Sequence, residues 1–161
     1  MLAIKFHHLR ALIHRPYLCL TYLQQNNRPL VALLDRAREH VDRLERTCVL
    51  EARQTAQLLY HVSDEKGLVY EYPWWQMISC LLCASSILLV ASAYFEPDEA
   101  TTELQPHALH EDAETCLKVF DALSANSGAA RLARDMMRGL KEMHIVPRGT
   151  SVRKLFVSDG H

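Results

Sequence analysis

Residues 77–95 read MISCLLCASSILLVASAYF, a run of 19 residues without a charged side chain. The segment Glu96-Pro97-Asp98-Glu99 follows directly, and its proline and acidic residues end the run. A run of this length and composition forms either the central helix of a helical domain or a membrane span. The other segments of the chain are interpreted around this choice.

The flanks and the small residues of the run bear on the choice. Trp74, Trp75 and Tyr94 lie near its ends, as the interfacial aromatic residues of a membrane span do. The flanks lack, however, the Lys/Arg cluster that usually fixes topology. Five small side chains suit close helix packing: Ala84, Ser85, Ser86, Ala91 and Ser92. The sequence favours a buried helix, and a small membrane-anchored helical protein that spans the bilayer at 77–95 is the alternative.

The composition indicates one ordinary globular domain. The chain has 161 residues, of which 49% are hydrophobic and 23% are charged, so wholesale disorder is excluded. A formal charge of −1 excludes a strongly basic nucleic-acid-binding arm. Five cysteines without framework spacing indicate reduced intracellular thiols, and we expect no secretory signal at the N-terminus.

A helix over residues 2–14 is predicted at the N-terminus. Pro16 disfavours helical backbone at Arg15, so we expect this helix to end near His14. Four apolar residues at helical spacing share one face: Leu2, Phe6, Leu9 and Ile13.

A long helix is predicted over residues 30–62, which contain neither Gly nor Pro. Apolar residues recur every three or four positions and form one stripe: Leu30, Leu34, Ala37, Val41, Leu44 and Cys48. We interpret the segment as an ordinary amphipathic helix with a solvated face. A coiled-coil interaction module through 30–62 is the alternative.

Three further helices complete the prediction. Pro73 opens the helix that contains the uncharged run, and Pro106 leads into a helix that ends near Leu123. Residues 129–143 form the last one, with four residues inward: Ala133, Met136, Met137 and Leu140. The sequence thus predicts an all-α, irregular domain of about five helices over residues 1–143. Residues 144–161 form a C-terminal tail, in which 152–157 form one short turn or strand.

Two pairs of metal-ligating residues are interpreted as structural. Cys80 and Cys83 have no second pair at matching spacing and lie among leucines, so they are expected to be core thiols. His107 and His110 lack a third ligand, and the acidic residues Asp112 and Glu114 are typical of the first turn of a helix.

A basic stripe runs along the last predicted helix. Its members fall at spacings of three and four residues: Arg131, Arg134, Arg138 and Lys141. The stripe is expected to be the solvated face of an amphipathic helix, and a face that meets phosphate or an acidic partner is the alternative.

Motifs of catalysis are missing from the sequence. It has no glycine-rich phosphate loop, no nucleophile elbow and no His-Glu-x-x-His motif. We therefore expect a protein without enzymatic activity.

Four blocks of sequence, in this order, carry a family resemblance. The first is Phe6-His-His-Leu9-Arg-Ala-Leu12-Ile-His14-Arg15-Pro16-Tyr-Leu18, and the second is the Cys48…Ala52 helix, which has Arg53 where a second alanine is common. The third begins Pro73-Trp74-Trp75, and the fourth contains Cys116-Leu117. Together they resemble the middle homology region, a regulatory region, of fungal zinc-cluster (Zn2Cys6) transcription factors.

The resemblance implies an all-α regulatory domain that modulates transcription in the nucleus. The resemblance covers the C-terminal half of the family's region. The six-cysteine module with which the family reads DNA has no counterpart in this sequence. Zinc is therefore expected only in that missing module, and this chain is expected neither to hold a cofactor nor to contact DNA directly. The resemblance also implies protein partners or self-association, and a small-molecule effector. It implies no association with a membrane. His14 and Arg15 are expected to form a corner, with Arg15 bonding carbonyls or a carboxylate.

A half-domain has a physical consequence. Helices that would pack against the missing half expose apolar faces, and large exposed apolar patches drive association. We therefore expect the isolated chain to self-associate or to be only marginally stable.

Overall fold

The structure, a computed structural model, describes residues 2–18, 20, 28–61, 73–94 and 104–143. Five helices occupy these ranges: α1 (Leu2–Leu18), α2 (Arg28–His61), α3 (Trp74–Tyr94), α4 (Pro106–Ser124) and α5 (Gly128–Met143). The described part of the chain contains no strand. The prediction of an all-α fold with about five helices is confirmed. The predicted turn or strand at 152–157 and the tail at 144–161 lie outside the described residues.

The uncharged helix α3 lies at the centre of the bundle. It packs against each of the other four helices. Most of its apolar side chains are buried, and Leu81 and Leu88 are fully so. Of the described helices, α3 alone is long and apolar enough to cross a membrane. Its packing against four neighbours favours the interpretation as a buried core helix.

Two helices start at or next to the prolines predicted to open them, and α5 starts after a serine cap. The Pro73 carbonyl accepts hydrogen bonds from the amides of Gln76 and Met77, at 3.0 and 3.3 Å, so this proline immediately precedes α3. Pro106 is the first residue of α4, where the missing amide proton costs no helical hydrogen bond. Ser127 caps α5, because its hydroxyl oxygen accepts from the Ala130 amide at 3.2 Å.

The predicted end of α1 near His14 is wrong. The helix continues through Pro16 to Leu18. Pro16 lies in the last turn of the helix. Its ring removes one backbone hydrogen bond, and only a single turn of helix depends on the region that it disturbs. Burial of Leu18 on the far side of the proline favours the extra turn.

The apolar face identified on α1 is the exposed one. Leu2, Phe6, Leu9 and Ile13 face solvent, whereas the buried residues are Ile4, Ala11 and Leu18. The small Ala11 side chain lets α2 approach closely: the Cys48 thiol donates to the Ala11 carbonyl at 3.5 Å. The α5 prediction has a similar error, since Met136 is exposed while Ala133 and Met137 are buried.

Helix α2 runs antiparallel to α1 and enters the core with its C-terminal half. The buried residues there are Cys48, Val49, Ala52, Ala56 and Leu59. Residues 35–40, nearer its start, are exposed, and they include Ala37 of the predicted stripe. The stripe is therefore only partly buried. Its C-terminal end packs inside the bundle and is not available there as a coiled-coil seam.

Candidate functional site

The residues that carry the family resemblance divide between the core and the surface. The buried ones lie on α2 and α4: Cys48, Ala52, Cys116 and Leu117. The others lie on α1 and around the start of α3, exposed or half-buried: Leu9, His14, Arg15, Pro16, Pro73 and Trp75. Trp74 is the first residue of α3. These residues therefore do not converge on one site.

The predicted corner of His14 and Arg15 is part of a continuous helix. Arg15 is exposed and lies near Cys83. Burial raises the pKa of the Cys83 thiol, and the positive charge of Arg15 lowers that pKa to a smaller extent. The His14 ring lies 6.4 Å from that of Tyr17, and its buried Nδ1 has no hydrogen-bond partner in the described part of the chain. The bond from Arg15 to carbonyls or a carboxylate stays a prediction.

The described cysteines are core residues. Cys48, Cys80, Cys83 and Cys116 are buried as reduced thiols. Burial, with a smaller contribution from Cys83, raises the pKa of Cys80 to about 11 even though Lys5 lowers it. Burial and the nearby Asp112 raise the pKa of Cys116 to about 12. Burial therefore favours the protonated form of Cys80, Cys83 and Cys116. The burial of Cys80 and Cys83 confirms their interpretation as core residues; Cys19 lies outside the described residues.

The acidic residues of α4 bind cations of neighbouring helices. Because α4 begins at Pro106, Asp112 and Glu114 lie beyond its first turn. The prediction that they belong to the first turn of a helix is wrong. Asp112 forms a half-buried ion pair with Arg53 of α2. No three His, Cys, Asp or Glu side chains in the described ranges are grouped to hold a metal ion.

The basic stripe of α5 faces acidic residues of α4. Arg134 and Arg138 both contact Asp121, at 3.2 and 3.0 Å, and Lys141 pairs with Glu114. Arg131 donates to the Ser124 carbonyl at 3.3 Å. The stripe therefore joins α5 to α4, and much of its charge is balanced within the chain.

A buried carboxylate joins α1 to α2. Glu51 lies 2.5 Å from Nδ1 of His7 and 2.9 Å from Nη1 of Arg10, and only a tenth of its side chain is exposed. In the sequence, the spacing of three residues between His7 and Arg10 on a helix is the feature that could have indicated a shared partner. The sequence did not predict this cluster, since Glu51 lies 44 residues from His7.

A cavity of about 230 Å³ lies between α1 and α3. Six residues line it: Lys5, His8, Leu9, Gln76, Ser79 and Cys80. Nδ1 of His8 and Oε1 of Gln76 are buried without a hydrogen-bond partner among the described residues. Burial also lowers the pKa of His8, which favours a neutral imidazole. Sequence reasoning singled out Leu9 and Cys80 but did not place the six residues together, because only tertiary packing brings the two helices together.

Comparisons with known proteins add no relative. No protein-family model, curated protein or solved structure matches this chain.

Proposed function

We propose that the chain is a helical regulatory domain of the type found in fungal zinc-cluster transcription factors. In this proposal it acts in the nucleus, through contacts with proteins and without catalysis. The first observation in its favour is the resemblance of four collinear sequence blocks to the family's regulatory region.

The packing of these blocks against one another carries the proposal. The first and second meet where the Cys48 thiol approaches the Ala11 carbonyl. The helices that carry the second and fourth blocks are joined by the ion pair of Arg53 with Asp112, which directly precedes the fourth block. The third block forms most of α3, which packs against the helices of the other three blocks. Collinear motifs that share one core are expected of parts of a single domain.

The exposed face of α1 supports a role in protein contact. Leu2, Phe6, Leu9 and Ile13 are large apolar side chains exposed along α1 from residue 2 to residue 13. We refer to these four residues as the α1 stripe. Monomeric proteins seldom expose contiguous apolar surface of this kind unless it takes part in association. We propose a second copy of this chain as the occupant, in line with the expectation that the isolated chain self-associates or is only marginally stable.

A reporter experiment tests the regulatory role. The chain is fused between a heterologous DNA-binding domain and an activation domain in fungal cells, and reporter expression is compared with that of a fusion without it. We expect the chain to lower expression several-fold. The matched control carries Leu88→Asp, which places a charge in the fully buried centre of α3 and should unfold the domain. Equal expression from the intact and Leu88→Asp fusions would contradict the proposal.

Fractionation of the tagged chain tests the membrane alternative, which the length and composition of α3 support. The proposal predicts recovery in the nuclear or soluble fraction. Retention in membranes after a carbonate wash would instead indicate that α3 spans a bilayer, and the transcriptional role would then be abandoned.

A further inference from the structure

We infer that two copies of this chain pair through α1 in antiparallel orientation, and that Leu9 of each copy enters the cavity between α1 and α3 of the other. The inference rests on the proposed function only in taking a second copy as the occupant of the α1 stripe. It adds the geometry of the interface, and it is independent of any role in transcription.

The spacing of the α1 stripe makes it self-complementary. Its members follow one another at intervals of four, three and four residues: Leu2, Phe6, Leu9 and Ile13. This series is the same in both directions along the helix. Leu2 therefore meets Ile13 of an antiparallel second copy, and Phe6 meets its Leu9. Such a contact is closed by a two-fold axis that passes midway between positions 6 and 9, and it uses every member of the stripe.

The exposure of the stripe sets the strength of the contact. Leu2 is 83% exposed, and Phe6, the least exposed of the four, is 53% exposed. Four such side chains and the walls of the cavity give an interface of less than about 1,200 Å² in total, the size class of weak and transient complexes. The dimer is therefore expected to form only at high protein concentration.

The charges of α1 favour the antiparallel over the parallel orientation. The helix contains no Asp or Glu, and Lys5 and Arg15 lie near its opposite ends. A parallel second copy would bring each of these cations to the level of its own equivalent and would align the two helix dipoles, and both effects are repulsive. The antiparallel copy opposes the dipoles. It also places Lys5 at the level of Arg10, whose charge Glu51 balances at 2.9 Å.

The cavity between α1 and α3 adjoins the α1 stripe, because Leu9 belongs to both. It is open on one side, and its walls are almost wholly apolar. In the antiparallel pair, Leu9 of the second copy lies at the level of Phe6, on the edge of α1 that carries Lys5 and the cavity. An apolar cavity of about 150 Å³ holds a benzene molecule, so about 230 Å³ accommodates the smaller isobutyl group of leucine. Its entry removes both the side chain and the cavity wall from water.

Cysteine cross-linking of the full-length chain tests the pairing. One preparation carries Leu2→Cys, and a second with a C-terminal tag of different size carries Ile13→Cys; Cys19→Ser is present in both. They are mixed at about 100 µM and oxidised with copper phenanthroline. Antiparallel pairing brings the two new cysteines together, so the mixture should give a disulfide-linked dimer with both tags. Each preparation alone should not cross-link, because its two cysteines then lie about 16 Å apart along the helix axis.

The matched control mixes Ile13→Cys with Leu132→Cys, since position 132 on α5 is exposed to a similar extent. This mixture should give no dimer with both tags. Cross-linking of Leu2→Cys and of Ile13→Cys each with itself would indicate a parallel pair and overturn the inference. A chain that sediments as a dimer without any of these cross-links would also overturn this geometry, while a monomeric chain at about 100 µM would overturn the second copy as occupant as well.

A variant that fills the cavity tests the entry of Leu9. Ser79 lines the cavity and is exposed, so Ser79→Trp places an indole ring there without disturbing the core. Sedimentation velocity should show a dimer Kd raised at least about tenfold. Ser79→Ala, which leaves the cavity open, is the matched control and should keep the wild-type Kd. Circular dichroism checks that each variant is folded, and a folded Ser79→Trp variant with wild-type Kd would refute the role of the cavity.

Discussion

At the scale of single residues, burial decides the chemistry of this protein's titratable groups. The thiols of Cys80 and Cys116 lose water without gaining a cation strong enough to compensate, so their pKa values rise. The imidazole of His8 also loses water, but its charged form is the protonated one, so its pKa falls. The same physical cause therefore favours the neutral form in all three groups.

The first prediction concerns the titration of His8. Its pKa in the folded chain should lie below 6.5, the value expected of the unfolded chain. Between these two pKa values the unfolded chain binds more protons, so the free energy of unfolding falls as the pH drops through this interval. The contribution of His8 is complete above pH 6.5 and is lost as the pH falls through the folded pKa.

An NMR titration of the histidine rings measures this pKa, with the His8 signal assigned by its loss in His8→Gln. The variant His107→Gln, which changes an exposed histidine, is the control and should leave the His8 titration unchanged. A His8 pKa at or above 6.5 would contradict the prediction.

At the scale of helices, ion pairs join elements that lie side by side. Glu51 joins α1 to α2, Arg53 joins α2 to α4, and Asp121 joins α4 to α5. The three contacts differ in exposure: Glu51 is almost fully buried, Arg53 is half-buried, and Asp121 is exposed. Because water screens an exposed pair, the Glu51 contact should contribute most to stability.

The second prediction is that Glu51→Ala destabilises the fold by about 2 kcal/mol, since the variant leaves His7 and Arg10 without their shared partner. The loss is smaller than for a fully buried pair, because the Arg10 side chain is 45% exposed. Thermal unfolding should show a Tm lower by roughly 4–8 °C.

The matched control for this experiment is Glu114→Ala, which removes the more exposed carboxylate that pairs with Lys141. Its Tm should fall by a smaller amount. Equal Tm values for the two variants would show that burial of Glu51 does not set the strength of its contact.

At the scale of the whole molecule, the bundle buries the uncharged helix α3 but leaves an apolar surface of α1 exposed to solvent. Helix α3 is enclosed by four neighbours, while the α1 stripe faces solvent. Covering that stripe removes apolar area from water, at about 25 cal/mol per Å². Association of the chain is therefore expected to be favourable, with α1 at the interface.

The third prediction is that the purified chain forms dimers or larger species at about 100 µM, and that Ile13→Glu shifts it toward monomer. Ile13 is 67% exposed, so the substitution leaves the core intact. Sedimentation velocity measures the distribution of species.

Leu132→Glu provides the matched control, because Leu132 on α5 is 65% exposed but lies outside the α1 stripe. This variant should associate as the wild type does. A monomeric wild-type chain, or equal effects of the two substitutions, would contradict an interface formed by the α1 stripe.

The sequence by itself determined the helical class of the protein and the approximate limits of most helices. The uncharged run, the segment without Gly or Pro, and the prolines before α3 and α4 are local signals, and helix formation depends on local hydrogen bonds. The end of α1 is the exception, because burial of Leu18 beyond Pro16 is a tertiary effect.

Only the tertiary structure decided which helix faces are buried and which charges meet. The spacing on α1 identified an apolar stripe, but the small residue Ala11 is the one that admits α2. Arg53 and Glu51 find partners tens of residues away, and the cavity is formed by residues of α1 and α3. A helix repeats every 3.6 residues whatever surrounds it, whereas the face that it buries depends on the neighbours that the rest of the chain provides.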